Sequence, residues 1–223
     1  MLQSWLSMGA VLATGVGMMA GSSAYQSRHA PHPELSRKLL HIGNGLLALT
    51  FPWLFETVWP VLVVVGVGML VLCATRMSGT LRRCLGGAFN GIGRASYGDL
   101  WFLLAIGLVF VLSDGRTLLY VVPILVLTLA DTAAALVGVA FGRLRYSMVD
   151  GAKSLEGSAA FFGVAFFCAG ISLLVFGNHG YREAFAIAVA LSFATTILEA
   201  LASKGLDNVL VPAGAFLVLY ATH

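Results

Sequence analysis

Long apolar runs separated by short polar clusters dominate the chain, at about residues 4–23, 39–55, 58–75, 99–114, 118–141, 157–177, 181–201 and 209–222. A helix rises 1.5 Å per residue, and a bilayer core about 30 Å thick needs roughly 20 apolar residues to cross. The pattern predicts an all-α, polytopic integral membrane protein of about eight transmembrane helices, with seven or nine compatible with the same text. The second, fourth and eighth runs are short, and are expected to tilt less or to end inside the protein.

Composition supports this reading. Mean hydropathy is +0.91, and 10% of residues are charged, where a soluble globular domain has about a quarter. Cys73, Cys84 and Cys168 lie far apart with no CxxC spacing, so neither a disulfide framework nor a zinc site is expected. No basic segment precedes the first apolar run and no convincing cleavage site follows it, so it reads as a retained helix.

The charges order the helices. Arg28, Arg37 and Lys38 fall between the first and second runs, and Arg76, Arg82, Arg83 and Arg94 between the third and fourth. Arg143, Arg145 and Lys153 fall between the fifth and sixth, and Lys204 between the last two. Basic loops mark the cytoplasmic side. Alternate loops therefore face the cytoplasm, and both termini face the other way.

Most acids gather on the same side. Asp99, Asp150, Glu156 and Asp207 border those loops, while Asp131 and Glu199 sit inside apolar runs. An ionisable group within a span costs several kcal/mol unless it is paired or bound to an ion, which makes it a functional candidate.

Four segments bring chemistry to that boundary. In Arg37-Lys38-Leu39-Leu40-His41, Arg37 and His41 share a helical side, while Lys38 reads as a snorkelling anchor. In Arg94-Ala-Ser96-Tyr-Gly-Asp99, the acid either caps the helix or orients and deprotonates a hydroxyl. The third segment runs from Asp131 through Gly138 and Gly142 to Arg143, then across a basic loop to Lys153-Ser154-Leu155-Glu156-Gly157. Asp131, Ala134, Ala135 and Gly138 form a small face suited to close helix approach. Lys153, Arg143 and the amides opening the next helix suit phosphate. Asp131 and Glu156 suit Mg²⁺, which takes one or two carboxylates plus phosphate oxygens. The fourth segment holds Glu199, Ser203, Gly205, Asp207-Asn208 and Pro212. There, a glycine C-cap and an aspartate N-cap account for Gly205 and Asp207 but not for Glu199. The glycine-rich stretch Gly86–Gly93 reads as a flexible re-entrant or surface loop, and no nucleic-acid-binding pattern is present.

These segments, in this order from Arg37 to Pro212, resemble the CTP-dependent polyprenol kinase family, which includes dolichol, phytol and farnesol kinases and a CTP-dependent diacylglycerol kinase. The resemblance implies one transmembrane domain over 1–223, with an N-terminal helix and loop (1–36) and a catalytic core (37–212). It implies CTP as phosphate donor, Mg²⁺ as cofactor and a membrane-dissolved isoprenoid alcohol as acceptor. On that basis Asp131, Asp207 and Glu156 are the expected metal ligands. Arg37, Lys38, Arg143, Lys153, Ser154, Gly157 and Asn208 are the expected nucleotide contacts. Asp99, His41 and Glu199, with Lys153, form the expected catalytic set. The Lys-Ser-x-Glu-Gly stretch also looks like the lipid cytidylyltransferases, although the Ser-Pro pair of that family is missing here. A transporter relaying ions through its acids is a third reading, opposed by the almost uncharged outer halves of the spans. The small-residue faces suit packing within one chain or between copies in a homo-oligomer.

Overall fold

The computed structural model describes residues 2–29, 31–86, 97–148, 151–177 and 179–222. It divides into two compact units, Met1–Ala95 and Ser96–His223.

The first unit holds α1 (Leu2–His29), α2 (Pro33–Leu49), α3 (Phe51–Leu54), α4 (Val58–Met77) and α5 (Gly79–Leu85). Helix α1 packs on α2, α4 and α5. The Trp5 and Trp59 rings meet at 5.5 Å, and the Ser23 hydroxyl donates to the Arg83 carbonyl at 3.1 Å. The apolar run expected at 39–55 is broken at Thr50, because Pro52 has no N–H to continue the ladder. Helix α2 also begins six residues before that run, with His32 as its N-cap and Pro33 in its first turn.

The second unit opens with α6 (Gly98–Ser113) and α7 (Thr117–Leu125). A π-helical turn, Val126–Ala130, joins α7 to α8 (Asp131–Phe141). Strands β1 (Arg145–Met148) and β2 (Gly151–Ser154) follow, then α9 (Leu155–Phe176), α10 (Tyr181–Leu201) and α11 (Asp207–Ala221). Among the described residues, five helical stretches are long and apolar enough to cross a membrane: Leu2–His29, Val58–Met77, Thr117–Phe141, Leu155–Phe176 and Tyr181–Leu201. Gly98–Ser113 and Asp207–Ala221 are shorter apolar helices. Phe167, Ile171, Val175, Phe185, Phe193 and Leu217 point outward, the kind of surface that lipid covers.

Lipid tails are as apolar as leucine, so helices in a bilayer associate through close packing of small residues. Helix α9 follows this rule on both sides. Against α10, a methyl group on Gly170 would stand 3.8 Å from the Ala188 Cβ, and Ala184 and Ala188 are both buried. Against α8, a methyl group on Gly157 would stand 2.8 Å from the Ala134 carbonyl and 3.4 Å from Gly138 Cα. The small face read from Ala134 and Gly138 is the seat of α9.

Three local readings are corrected. The basic loop after α8 is an antiparallel hairpin, with Arg145 opposite Ser154 and Tyr146 opposite Lys153. An Asp-Gly dipeptide at 150–151 between strand-length segments is a hairpin signal. Gly205 does not cap α10, which ends at Leu201 with extended Ala202 as its cap. Lys204 (φ 54°) and Gly205 (φ 83°) instead form a left-handed turn, where glycine is at ease and lysine is not. Leu206 is the N-cap of α11, and Asp207 is its first helical residue.

Candidate active site

Asp131 owes its position to an irregularity. Pro123, inside α7, cannot donate an amide, and the helix passes through the π-helical turn immediately before Asp131. Such turns often occur at functional sites, because they re-aim the residues that follow. Hydroxyls reinforce the stretch: Thr128 donates to the Ile124 carbonyl at 2.6 Å, and Thr132 to the Thr128 carbonyl at 2.7 Å. Asp131 lies in the first turn of α8 and is 5% exposed.

The hairpin delivers Lys153. Its ammonium donates to Glu199 Oε1 at 2.6 Å and to the Glu199 backbone carbonyl. A cation on the last turn of a helix meets exposed carbonyls and the negative dipole end. Glu199 is only 7% exposed, so its carboxylate is partnered within the protein, as an acid inside a span must be. The charges of Asp131 and Asp207 also act on Glu199. Asp207 Oδ1 accepts from both the amide and the side-chain nitrogen of Asn208. Asn208 is 3% exposed and also donates to the Gly205 carbonyl, which ties it to the left-handed turn.

Other predicted residues fall around this group. Ser154 caps α9, its hydroxyl accepting the Gly157 amide at 3.1 Å. Glu156 Oε1 accepts the amides of Arg143 (3.0 Å) and Leu144 (3.1 Å). The Arg143 side chain is exposed beside the hairpin. Asp99 stands in the first turn of α6, which packs against α11.

The remaining candidates belong to the first unit. Arg37 makes a two-pronged bond to Glu34, at 2.6 and 3.1 Å. Lys38 is not the snorkelling anchor expected of it: it is 1% exposed. Because α2 starts at Pro33, Lys38 lies in its second turn rather than at the mouth of a span. His41 lies one turn further on, half-buried. Arg94, Ser96, Asp150 and most of the glycine-rich stretch lie outside the described residues.

The second unit thus gathers one lysine and three carboxylates from β2, α8, α10 and α11. Among the described residues no three Asp, Glu, His or Cys side chains form a ready metal-ligand cluster. The pairing of Lys153 with Glu199, 46 residues apart, was invisible to sequence spacing. So was the Glu156 clamp.

Apolar helices of spanning length around a charged, largely buried centre define a polytopic membrane protein with an enzyme-like site. Phytol kinase from Synechocystis sp. is 30% identical to this chain over 225 residues, covering 99% of this chain and 93% of that protein. The chain belongs to the polyprenol and phytol kinase family. No protein-family model matches it, and no solved structure matches it either.

Proposed function

We propose that the protein transfers the γ-phosphate of CTP to the hydroxyl of an isoprenoid alcohol, with phytol-like alcohols as first candidates, at the cytoplasmic edge of the membrane. The observation that carries this reading is the Lys153–Glu199 contact. It joins a basic hairpin to a helix end where the charges of Asp131 and Asp207 also act. Phosphoryl transfer asks for positioning and charge neutralisation more than for covalent chemistry, and this set supplies both kinds of charge. The phytol kinase of Synechocystis sp. supports the acceptor class. The motif resemblance supports the donor.

Mg²⁺ fits the acids present. The charges of Asp131 and Asp207 act on Glu199, and Mg²⁺ is commonly held by one or two carboxylates plus phosphate oxygens. Asp131 and Asp207 would hold it, and when bound it would neutralise charge developing on the phosphates. Lys153, Arg143 and the N-terminal amides of α9 contact phosphates. Asp99 takes the proton of the acceptor hydroxyl. The alcohol oxygen then bonds to the γ-phosphorus, the bond from that phosphorus to the bridging oxygen breaks, and CDP leaves.

The test is purified protein with labelled CTP or ATP, Mg²⁺ and a panel of phytol, farnesol, geranylgeraniol, dolichol and diacylglycerol. A phosphorylated isoprenoid with CDP release is expected. Pyrophosphate release would make it a cytidylyltransferase, and labelled product from ATP alone would overturn the donor. Asp131→Asn is expected to cost about a hundredfold or more in kcat, the scale of losing one electrostatic stabiliser.

A further inference from the structure

The sequence pattern offered Glu156 as a metal ligand, but its carboxylate is engaged in a specific way. Oε1 accepts two successive backbone amides, Arg143 at 3.0 Å and Leu144 at 3.1 Å, and Oε2 lies 3.3 Å from the second. The Leu155 amide donates to the Leu144 carbonyl at 2.9 Å, from the opposite direction. Together these bonds close the ring where the chain leaves α8 and enters α9, at the foot of the hairpin. The Arg143 and Leu144 amides lie beyond the end of α8 and before β1, so neither helix nor ladder supplies their acceptor. Glu156, in the first turn of α9, supplies it.

What the clamp holds in place is Lys153. That residue lies three positions before Glu156 on β2, whose last residue, Ser154, is itself locked as the α9 cap. From this base the Lys153 ammonium reaches Glu199 across to α10. We infer that Glu156 is a positioning residue: by holding the Arg143 and Leu144 amides it fixes the foot of the hairpin and sets where Lys153 stands. It acts through Lys153 and not as a metal ligand. The inference rests on the kinase reading for its kinetic consequence, and on the hydrogen bonds alone for its structural one.

Two variants separate the roles. Glu156→Gln keeps an Oε1 that accepts both amides, whereas Glu156→Ala removes the acceptor. A positioning role predicts that Glu156→Gln retains the KM for CTP within about threefold, the difference between a charged and a neutral acceptor. Its Mg²⁺ dependence should match wild type. Glu156→Ala should raise the KM for CTP about 10- to 100-fold, the cost of a misplaced contact, and leave the KM for the alcohol unchanged. In parallel, hydrogen exchange in detergent should show faster amide exchange over residues 142–148 in Glu156→Ala alone.

Loss of activity in Glu156→Gln with a raised Mg²⁺ requirement would overturn the inference in favour of metal ligation. Wild-type KM for CTP in Glu156→Ala, with only a lower melting temperature, would reduce Glu156 to a scaffold residue and overturn it equally. If wild type phosphorylates no alcohol from any donor, the kinase reading fails and the claim about Lys153 falls with it. The exchange measurement still reports on the clamp separately.

Discussion

The two units treat polar groups differently. In the first, one ion pair is local and partly exposed: Arg37 and Glu34 are three residues apart and each about a quarter exposed. In the second, the central ion pair joins residues 46 apart, on a hairpin and on a helix, with Glu199 almost fully buried. A local, partly exposed pair follows from helix geometry and adds little stability. A long-range buried pair persists only when several elements are built to hold it. The second unit does so with a π-helical turn before Asp131, a hairpin for Lys153 and a left-handed turn before Asp207. The difference places the more demanding construction in Ser96–His223.

The largest effect should come from breaking that pair. Glu199→Ala leaves the Lys153 ammonium without its carboxylate and is expected to lower kcat/KM for CTP by about a hundredfold or more. A fully buried pair cut on one side loses about 3–5 kcal/mol; with Lys153 a quarter exposed, about 1–3 kcal/mol is the expected cost. Lys153→Met with Glu199→Leu should recover most of the thermal stability but no activity, because apolar residues can replace the pair and cannot bind phosphate. Recovery of activity in the double variant would make the pair structural and erase the contrast between the units.

The next effect concerns helix approach. Gly157→Ala places a methyl 2.8 Å from the Ala134 carbonyl and 3.1 Å from the Ser154 hydroxyl, so α8 and α9 must separate. The expected cost is about 1–3 kcal/mol, read as a lower melting temperature in detergent. In α1, a methyl at Gly9, Gly17 or Gly21 meets nothing within 4 Å. Gly17→Ala should therefore be neutral or slightly stabilising through helix propensity. Equal sensitivity at Gly157 and Gly17 would mean that the close α8–α9 approach at Gly157 makes no special packing demand.

How much of this was legible in the sequence depends on the range of the cause. The apolar runs match the helices closely, 181–201 and Tyr181–Leu201 for example, because the length of a span is fixed by the bilayer and written in contiguous residues. The small face at Ala134 and Gly138 was legible for the same reason, being a periodicity within one helix. Asp131 and Glu199 stood out as acids in apolar text. What escaped was either tertiary or a matter of backbone detail. The Lys153–Glu199 bond joins distant elements, and nothing in either segment alone specifies the other. The hairpin had its Asp-Gly signal but sat between charged residues that read as loop. The end of α10 was placed at Gly205, because glycine is the usual stop, while the chain stops at Leu201 and uses Gly205 for a left-handed turn.

The smallest effect tests two neighbours in the first unit. Arg37 was expected to bind phosphate and Lys38 to anchor the chain, yet Lys38 is buried while Arg37 remains partly exposed with Glu34. Removing an exposed pair of this kind changes stability by about 0.5 kcal/mol or less, so Arg37→Gln should leave the melting temperature where it was. If Arg37 contacts the nucleotide, the KM for CTP should rise about three- to tenfold and the salt dependence of CTP binding should weaken, since an exposed charge is screened. Lys38→Gln should show the opposite profile, a lower melting temperature first, because a buried ammonium has partners that its loss leaves unmatched. A melting temperature that falls for Arg37→Gln and holds for Lys38→Gln would reverse the assignment. It would also remove the distinction between a local, tolerant first unit and a long-range, intolerant second one.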